Sequence, residues 1–408
     1  MQKINLGSIA DVVAGVSYSL KDIANSGIRI LRGGNIQNNA IILKQDDVFL
    51  LDSYCDESNS VREGDTLVVA STGSTDALGK AATSWADIPD TQIGAFLRIV
   101  RPKDRKWAAT VSAWLTQPIF SRYIVNRAKG TGINNIKREY VLNYPIYVHD
   151  EKGLVKFSRL YEGVDRLIEL SRKRIENLEK LAKEIYDYWF VQFDFPDKCA
   201  KPYRSSGGKM VYNAELKREI PAGWDARSLP EVLSLTMGQS PDGKSYNDKG
   251  VGTLFYQGAT DFEHTFPSPR QYTTSPCRMA KRGAVLMSVR APVGTTNRVL
   301  DECCIGRGLC ALSSKNGGTS FAWHIVEYLR PYFDRKNNDG TTFGAIGKDE
   351  FSKLKILSPT EDVVKQFGEL VKPIDLAMVK AQRNIDLLVK TREFLLPLLM
   401  NGQVKLKG

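Results

Sequence analysis

The chain has 408 residues, 42% of them hydrophobic and 25% charged, so it is long enough for two or three domains with their own cores and is not disordered as a whole. Its formal net charge of +11 favours a polyanionic partner, although a basic protein that is merely soluble fits the charge equally well. No stretch approaches about 18 consecutive apolar residues, so we expect a cytoplasmic protein with no membrane span.

The six cysteines show neither a paired framework nor a C-x-x-C spacing. In a chain of this size such usage predicts reduced structural thiols, with no metal site. Only three histidines are present, and none lies near a recognisable nucleophile, so we do not expect a catalytic site that depends on histidine.

Residues 1–155 are predicted to form the first globular domain. Short β-rich runs, such as Thr66 to Ala70 and Phe96 to Val100, alternate with Gly, Asn and Asp clusters, and Trp107 to Asn126 has a helical pattern. This alternation predicts a mixed α/β domain, and the sequence leaves the strand order open.

Residues 156–193 are predicted to form a long spacer helix, with a regular pattern over 157–190. Its apolar residues recur at intervals of three and four, which is the spacing of a coiled-coil seam. Seven Lys/Arg balance seven Asp/Glu over 157–190, so the basic excess lies on the globular parts. The predicted seam positions are Leu160, Val164, Leu167, Ile175, Leu178 and Ile185.

Residues 194–223 are polar and rich in turn formers, and are predicted to be a flexible linker with little to bury. Residues 224–360 then repeat the first domain. Residues 61–68 correspond to 280–287 at an offset of 219, and Ile93-Gly94 corresponds to Ile305-Gly306 at an offset of 212. The repeat predicts one scaffold that presents two different surfaces.

Residues 361–408 are predicted to form a second spacer helix, which aligns with the first at an offset of 210. Over 361–400 it is also neutral, with six Lys/Arg and six Asp/Glu. Pro373 interrupts its apolar pattern, so we expect either two pieces, 363–372 and 373–400, or one bent helix. The predicted seam positions are Ile374, Met378, Ala381, Ile385, Leu388 and Leu395. The fold class is therefore α+β, with two tandem mixed α/β domains, each followed by a long helix, and with the two helices pairing as an antiparallel coiled coil.

Five motifs resemble the DNA specificity subunit of type I restriction-modification systems. Three come from the predicted linker and two from the second domain, in the order that the family has. They are FVQFDFP at 190–196, KPYRSSGGKMV at 201–211, LKREIPAGW at 216–224, GQSP at 238–241 and SVRAPVG at 288–294. The first domain departs from the pattern, with GVSY at 15–18 and ASTG at 70–73, so a role for Arg290 does not transfer to that half.

The resemblance implies a subunit with no catalysis and no cofactor of its own. Each target recognition domain would read one half of a split double-stranded DNA sequence, and the paired helices would act as the spacer. Two methyltransferase subunits would dock on the helices, and restriction subunits would join the larger complex.

Candidate DNA contacts combine basic residues for phosphates with polar side chains for base edges. Most lie in glycine-containing loops or recur at comparable places in both domains. They are Arg29, Arg32, Arg127, Lys129, Gln239, Lys244, Arg290, Arg335, Lys336 and Lys348. For each of them a solvated surface or a simple turn residue is the alternative.

Two sequence patterns imitate other chemistry. Gly306 to Ala311 matches the dinucleotide pattern G-x-G-x-x-A, but no helix is predicted after it. Asp197 with Glu215 and Lys217 imitates a metal-dependent nuclease, but these residues lie in the predicted linker. The alternative functions left open are a stand-alone DNA-modifying enzyme, either a nuclease or a methyltransferase, and a coiled-coil protein-assembly module.

Overall fold

The computed structural model describes residues 1–44, 46–51, 56–73, 77–128, 136–338, 346–400 and 403. The chain divides into two compact units: unit 1 comprises Met1–Ser171 with Asn384–Gly408, and unit 2 comprises Arg172–Arg383. Mixed helix and strand content confirms the α+β expectation. Among the described residues, no helix is long and apolar enough to cross a membrane.

Unit 1 contains twelve strands among its described residues: β1 (Gln2–Asn5), β2 (Ala10–Ala14), β3 (Ile23–Ala24), β4 (Ile28–Leu31), β5 (Ile36–Gln37), β6 (Ala40–Ile41), β7 (Val48–Leu50), β8 (Thr66–Val69), β9 (Ala81–Thr83), β10 (Thr91–Ile93), β11 (Leu97–Pro102) and β12 (Pro145–Val148). Its helices are α1 (Ala108–Leu115), α2 (Pro118–Ala128), α3 (Arg138–Leu142), the first part of α4 (Glu151–Tyr186) and the last part of α9 (Glu361–Met400). The predicted helix at 107–126 is therefore two helices.

Unit 2 contains the strands β13 (Met210–Asn213), β14 (Arg218–Pro221), β15 (Asp225–Ser228), β16 (Ser234–Met237), β17 (Tyr246–Asn247), β18 (Thr253–Tyr256), β19 (Gln271–Thr273), β20 (Met279–Ala280), β21 (Val285–Ser288), β22 (Thr296–Arg298), β23 (Cys303–Ile305), β24 (Leu309–Ser313) and β25 (Lys355–Ser358). Its helices are the last part of α4, α5 (Leu229–Val232), α6 (Gly318–Tyr328), α7 (Arg330–Asn338), α8 (Lys348–Lys353) and the first part of α9.

The sheets of the two units have matching strand orders. In the first pair of sheets, unit 1 has β2-β11-β8-β9 and unit 2 has β16-β24-β21-β22. In the second pair, β10-β4-β7-β3 of unit 1 corresponds to β23-β18-β19-β17 of unit 2, where β20 adds a fifth strand beside β23. The central strands β8 and β21 are buried at every position, which explains their uninterrupted runs of small and apolar residues. In each second sheet one pair is parallel, β4 with β10 and β18 with β23. The carboxyl ends of two parallel strands lie at the same edge of a sheet. The loops that follow β4 and β10 in unit 1, and β18 and β23 in unit 2, therefore lie side by side.

The helix α4 begins six residues earlier than its apolar pattern indicated. Asp150 caps it, because its Oδ1 accepts a hydrogen bond from the Gly153 amide at 2.8 Å. At the other end, Asp187–Val191 form a π-helical turn that carries the buried aromatics Trp189 and Phe190. The apolar spacing alone did not reveal either boundary.

Side-chain burial on α4 follows a stricter pattern than spacing by threes and fours, whereas on α9 the buried Met378, Ala381 and Ile385 keep that spacing. Among the predicted seam positions, Ile175, Met378, Ala381 and Ile385 are buried, whereas Leu167 is 52% exposed. The neighbouring Ile168 is buried instead, at 2%. The remaining predicted positions are half-buried: Leu160, Val164, Leu178, Ile185, Ile374, Leu388 and Leu395. Buried residues of α4 recur every seven, at Leu154, Tyr161, Ile168, Ile175 and Ala182, and Trp189 in the following π-helical turn continues the series. This heptad could have been read from the sequence.

Pro373 does not divide the second long helix, so of the two forms expected the two separate pieces are wrong, while the bent helix stays a prediction. The helix α9 runs without interruption from Glu361 to Met400. A proline in a helix removes one amide donor and crowds the preceding turn. The ring of Pro373 is exposed, and buried neighbours such as Val371 and Met378 hold the helix on both sides of it.

The segment 194–223 is folded and packed, so the expectation that it has little to bury is wrong. Phe195 is buried and stacks on Trp224, with 4.8 Å between ring centroids. Asp194 accepts two hydrogen bonds from Ser205, and β13 pairs with β14 as a hairpin. Phe193, Phe195, Ile220 and Trp224 from the motifs in this segment therefore belong to the core of unit 2.

Five cysteines lie among the described residues, and all are free thiols. Cys303, Cys304 and Cys310 are buried in β23 and β24, and burial raises the pKa of Cys303 to about 12. A thiol that stays protonated is a poor nucleophile and metal ligand. Within the described ranges, no group of three or more His, Cys, Asp or Glu is placed to hold a metal ion.

His324 gives unit 2 a testable dependence on pH. It lies in α6 against the ring of Tyr186, and burial, aided by the charges of Arg298 and Lys183, lowers its pKa from 6.5 to about 3. Because folding favours the neutral imidazole, its contribution to stability is complete above the unfolded pKa. That contribution is lost as pH falls from about 6.5 towards about 3, at up to about 1.4 kcal/mol per pH unit.

We expect the substitution His324→Phe to remove this component. Urea unfolding of both proteins between about pH 7 and about pH 5 measures it, because other titrating groups cancel in the difference. Parallel stability curves for the two proteins would contradict the assignment.

Candidate nucleic-acid interface

Three loops of unit 2 meet where β16, β18 and β23 end. The Gln239 amide donates to the carbonyl of Ile305 at 2.9 Å, and the Gly306 amide donates to the carbonyl of Tyr256 at 2.8 Å. A Cβ atom at Gly238 would lie 2.2 Å from the carbonyl oxygen of Gly306, so only glycine allows this approach. The loops 238–241, 257–261 and 306–308 therefore form one surface, which we call the strand-end face of unit 2.

Polar side chains on this face are tied to one another. The hydroxyl of Ser240 accepts from Gln257 Nε2 at 3.1 Å and from the Arg307 amide at 3.3 Å. Cβ atoms at Gly306 and Gly308 would lie 2.9 and 2.8 Å from the carbonyl oxygen of Gln257. The two glycines thus hold the exposed Arg307 at the tip of a tight turn. Strand β24, not a helix, follows the two glycines. A dinucleotide site of this pattern needs a helix N-terminus for the pyrophosphate, so the glycines of Gly306 to Ala311 serve the tight turn instead.

Arg290 lies beside this turn on the loop that follows β21. The Val289 amide donates to the carbonyl of Gly308 at 3.0 Å. Asn337 then fixes the far side of the loop, since its Oδ1 accepts from the Val293 amide at 2.9 Å and its Nδ2 donates to the Val293 carbonyl at 3.0 Å. The exposed guanidinium of Arg290 is therefore carried by a loop whose backbone is fixed at both ends.

Unit 1 repeats these backbone contacts. The Gly94 amide donates to the carbonyl of Leu31 at 2.9 Å, and the Ala70 amide donates to the carbonyl of Phe96 at 2.8 Å. A Cβ atom at Gly15 would lie 2.2 Å from the carbonyl oxygen of Gly94, as at Gly238 in unit 2. The same contacts define a strand-end face of unit 1.

The side chains on the two faces differ completely. By their matching backbone bonds, Gln239, Gln257, Arg290 and Arg307 of unit 2 correspond to Val16, Arg32, Ser71 and Ala95 of unit 1. Gln and Arg make paired hydrogen bonds to adenine and guanine edges in the major groove, whereas Val and Ala offer only apolar contact. Two copies of one scaffold can therefore distinguish different base pairs.

The candidates of the first domain fall into two environments. Arg29 is half-buried, with its Nε 3.5 Å from an Asp47 carboxylate oxygen and its guanidinium 5.3 Å from the ring centre of Phe49. Arg32 is exposed, and its Nη2 donates to the carbonyl of Asp46 at 3.4 Å. Of these two, Arg32 lies on the strand-end face, while Arg29 is engaged within the domain.

The remaining candidates do not share the network of the strand-end faces. Lys244 is exposed in a short 3-10 turn capped by Asp242, and Arg127 stacks at 3.8 Å over the ring of Tyr123. Arg335 and Lys348 are exposed at α7 and α8. Lys336 lies in α7 with its side chain outside the described residues, and Lys129 lies wholly outside them. All remain predictions as phosphate contacts.

Gln257 and Arg307 are interface candidates that sequence reasoning missed. Gln257 corresponds to Arg32, but that equivalence rests on the parallel pairing of β18 with β23, which joins residues about fifty positions apart. Arg307 was visible only as the variable residue of a dinucleotide pattern. The repeated Ile-Gly at 93–94 and 305–306 was the available signal, because the residue after each pair occupies the same place on the two faces.

No protein-family model matches the chain. A curated protein assigned as the MjaX type I restriction enzyme specificity subunit of Methanocaldococcus jannaschii is 28% identical over 322 residues, covering 77% of this chain and 72% of the relative. The MjaIX type I restriction enzyme specificity subunit of the same organism is 22% identical over 326 residues, covering 76% and 72%.

Among solved structures, the S subunit of a type I restriction-modification system from M. genitalium has the same fold, with a TM-score of 0.54 at 14% identity over 98% of this chain and 96% of that one. The curated relatives share a name as well as extended sequence similarity, and the linker motifs predicted that name independently. This chain is a homologue of the specificity subunits of type I restriction enzymes.

Proposed function

We propose that the chain is a non-catalytic DNA-recognition subunit that reads a bipartite target. The observation that carries the proposal is the strand-end face, which occurs once in each unit with the same backbone contacts and with different side chains. Residues 1–155 and 224–360 act as the two target recognition domains. Each reads one half of the target at base edges, while surrounding Lys and Arg bind phosphates.

The two long helices act as the spacer between the half-sites, with residues 156–193 and 361–408 pairing antiparallel. Supporting contacts come from each unit. In unit 1, Asp165 in the first half of α4 binds Arg392 in the second half of α9 at 2.5 Å. In unit 2, Trp189 after the end of α4 packs on Phe367 near the start of α9, with 5.7 Å between ring centroids. An early residue of one helix meeting a late residue of the other is what an antiparallel pair requires.

Two methyltransferase subunits dock on the helices, and restriction subunits join them in a larger complex that acts on cytoplasmic DNA. Support comes from apolar side chains that the helices leave exposed in unit 1. Leu167, Leu170, Leu387 and Phe394 are 52%, 62%, 65% and 71% exposed. Exposed apolar side chains of this kind commonly mark protein contacts.

A salt titration tests the nucleic-acid part of the proposal. We expect the affinity of the full chain for double-stranded DNA to fall by about 10³-fold or more between ~50 and ~200 mM salt, because bound phosphates release counterions. Fluorescence anisotropy with a labelled duplex measures this. A salt-independent interaction, or no binding beside avid binding of other proteins, would favour the coiled-coil assembly alternative.

Turnover assays separate recognition from enzyme activity. The purified chain with DNA, Mg²⁺, ATP and S-adenosylmethionine is expected to neither cleave nor methylate DNA, whereas addition of its methyltransferase subunits restores methylation. Product formed by the chain alone would show that it is a stand-alone DNA-modifying enzyme.

A further inference from the structure

A single buried cation in unit 2 connects the second domain to both long helices. Arg298, at the end of β22, is 2% exposed. Its Nη1 donates to Asp375 of α9 at 3.0 Å, and its Nε lies 3.6 Å from a carboxylate oxygen of Glu179 of α4. Its guanidinium also lies 4.7 Å from the ring centre of Trp323 in α6. Any rotation of the domain on the helices would disturb these contacts together.

Asp375 contacts the domain at a second point. Its Oδ1 accepts from the Ser320 hydroxyl at 2.6 Å, and its Oδ2 accepts from the Ser320 amide at 3.1 Å. Ser320 lies in the first turn of α6, where free amides and the helix dipole favour a carboxylate. One side chain of α9 thus holds both a strand and a helix of the domain.

Unit 1 has an aspartate at the equivalent place of its own helix. Asp165 precedes Asp375 by 210 residues, which is the offset of the helical repeat. Its carboxylate accepts from Trp85 Nε1 of the first domain at 3.2 Å and from Arg392 of α9 at 2.5 Å. In both units, therefore, this aspartate joins the preceding domain to the helices.

The two units supply the cation from different elements. Thr83 stands in β9 at the ladder position that Arg298 has in β22, as the pairs Thr66 with Thr83 and Val285 with Arg298 show. The Thr83 hydroxyl donates to Ser112, and the cation beside Asp165 comes from α9 as Arg392. We call the contacts of Asp165 or Asp375 with the preceding domain and with the cation the junction of each unit. The junction is therefore repeated in the two units, with the cation supplied by different residues.

Buried ion pairs of this kind are better suited to fixing geometry than to adding stability. Desolvation offsets much of the attraction between buried charges, and it also raises the pKa of Glu179. Bonds between a guanidinium and carboxylates are directional, whereas apolar packing tolerates sliding. A junction that needed only stability would be served as well by apolar residues.

We propose that Arg298 with Asp375, and Asp165 with Arg392, are positioning residues that fix the angle of each domain on the helices and so set the number of base pairs between the two half-sites. The inference rests on the proposed reading of a bipartite target. Two half-sites are read together only when each face meets its groove, and each base pair of spacer rotates the second site by about a tenth of a helical turn.

The test maps methylated sites in cells that carry the whole system with either wild-type or altered chain. One variant neutralises the junction of unit 2 with Arg298→Met, Glu179→Gln and Asp375→Asn together, and a second combines Asp165→Asn with Arg392→Met. The wild type is expected to give two half-sites at one spacing. Each variant is expected to keep both half-sites and to raise methylation at spacings one base pair shorter or longer by about tenfold, a change of the size that one tolerated mismatch produces.

Arg383→Gln is the matched control, because Arg383 of α9 bonds Asp301 of the same domain on the surface, with both side chains about half exposed. Surface pairs of this kind contribute little, so the control should keep one spacing. Should the triple variant not fold, Asp375→Asn alone decides, since it removes the ion pair with Arg298 and keeps a side chain of the same shape; it too is expected to methylate at the altered spacings. Variants that methylate at the wild-type spacing only would overturn the inference, whereas a wild type without any bipartite motif would overturn the proposed function instead.

Discussion

Glutamate in place of Ile175 is expected to abolish methylation by the assembled complex. Ile175 is 4% exposed on α4 and lies seven residues from the buried Ile168 and Ala182. Ile385, 6% exposed on α9, is the matching target on the other helix. An unpaired carboxylate at either place costs several kcal/mol, which is enough to separate the helices and lose the spacer. Co-purification with the methyltransferase subunits and methylation of a target duplex measure the effect.

The adjacent exposed positions give matched controls. Arg174→Glu and Asn384→Glu place the same side chain one residue away, on the solvent side of each helix. They should assemble and methylate normally. Hydrogen exchange in the full chain should show that the buried strands β8 and β21 keep their protection in all four variants, since the domain sheets do not depend on the seam. Normal assembly by Ile175→Glu or Ile385→Glu would count against the helical spacer.

Local patterns predicted the elements of this chain better than they predicted the partners of those elements. The strand at 145–148 and the two long helical segments were readable because their signals lie within a few residues, although the local signal of Pro373 did not predict that the second helix is uninterrupted. The heptad was readable too, yet spacing by threes and fours selected Leu167, which is exposed, over Ile168. Both residues fit a loose apolar pattern, and only the period of seven anchored on Ile175 distinguishes them.

Composition misled where tertiary contacts decide. The segment 194–223 contains the glycines, serines and prolines typical of a linker, yet Phe195 and Trp224 stack and Asp194 binds Ser205. Arg29 was a candidate DNA contact because it flanks a strand that runs into a glycine-containing loop; its pairing with Asp47, eighteen residues away, was not visible locally, and its DNA contact stays a prediction. Residue type predicts what a side chain can bind, while the fold decides whether another residue of the same chain already binds it.

The sharpest test of the strand-end faces is a change in one half of the target. Arg307→Ala should relax recognition at one base pair in the half-site of the second domain, because a paired contact from Arg to guanine contributes about 1 to 3 kcal/mol of discrimination. Arg32→Ala should change only the other half-site. Methylated motifs mapped in cells with the whole system report both halves at once.

Arg282→Ala is the control for Arg307→Ala, since Arg282 is exposed in the same domain but precedes β21, whereas the strand-end face follows it. It should leave the motif unchanged. If Arg307→Ala weakens methylation uniformly and leaves the motif intact, Arg307 binds phosphate. Gln239, Gln257 and Arg290 would then be the residues of this face that contact base edges. A change in the half-site that Arg32 governs would contradict the assignment of one face to each half, because the two faces belong to different units with separate cores.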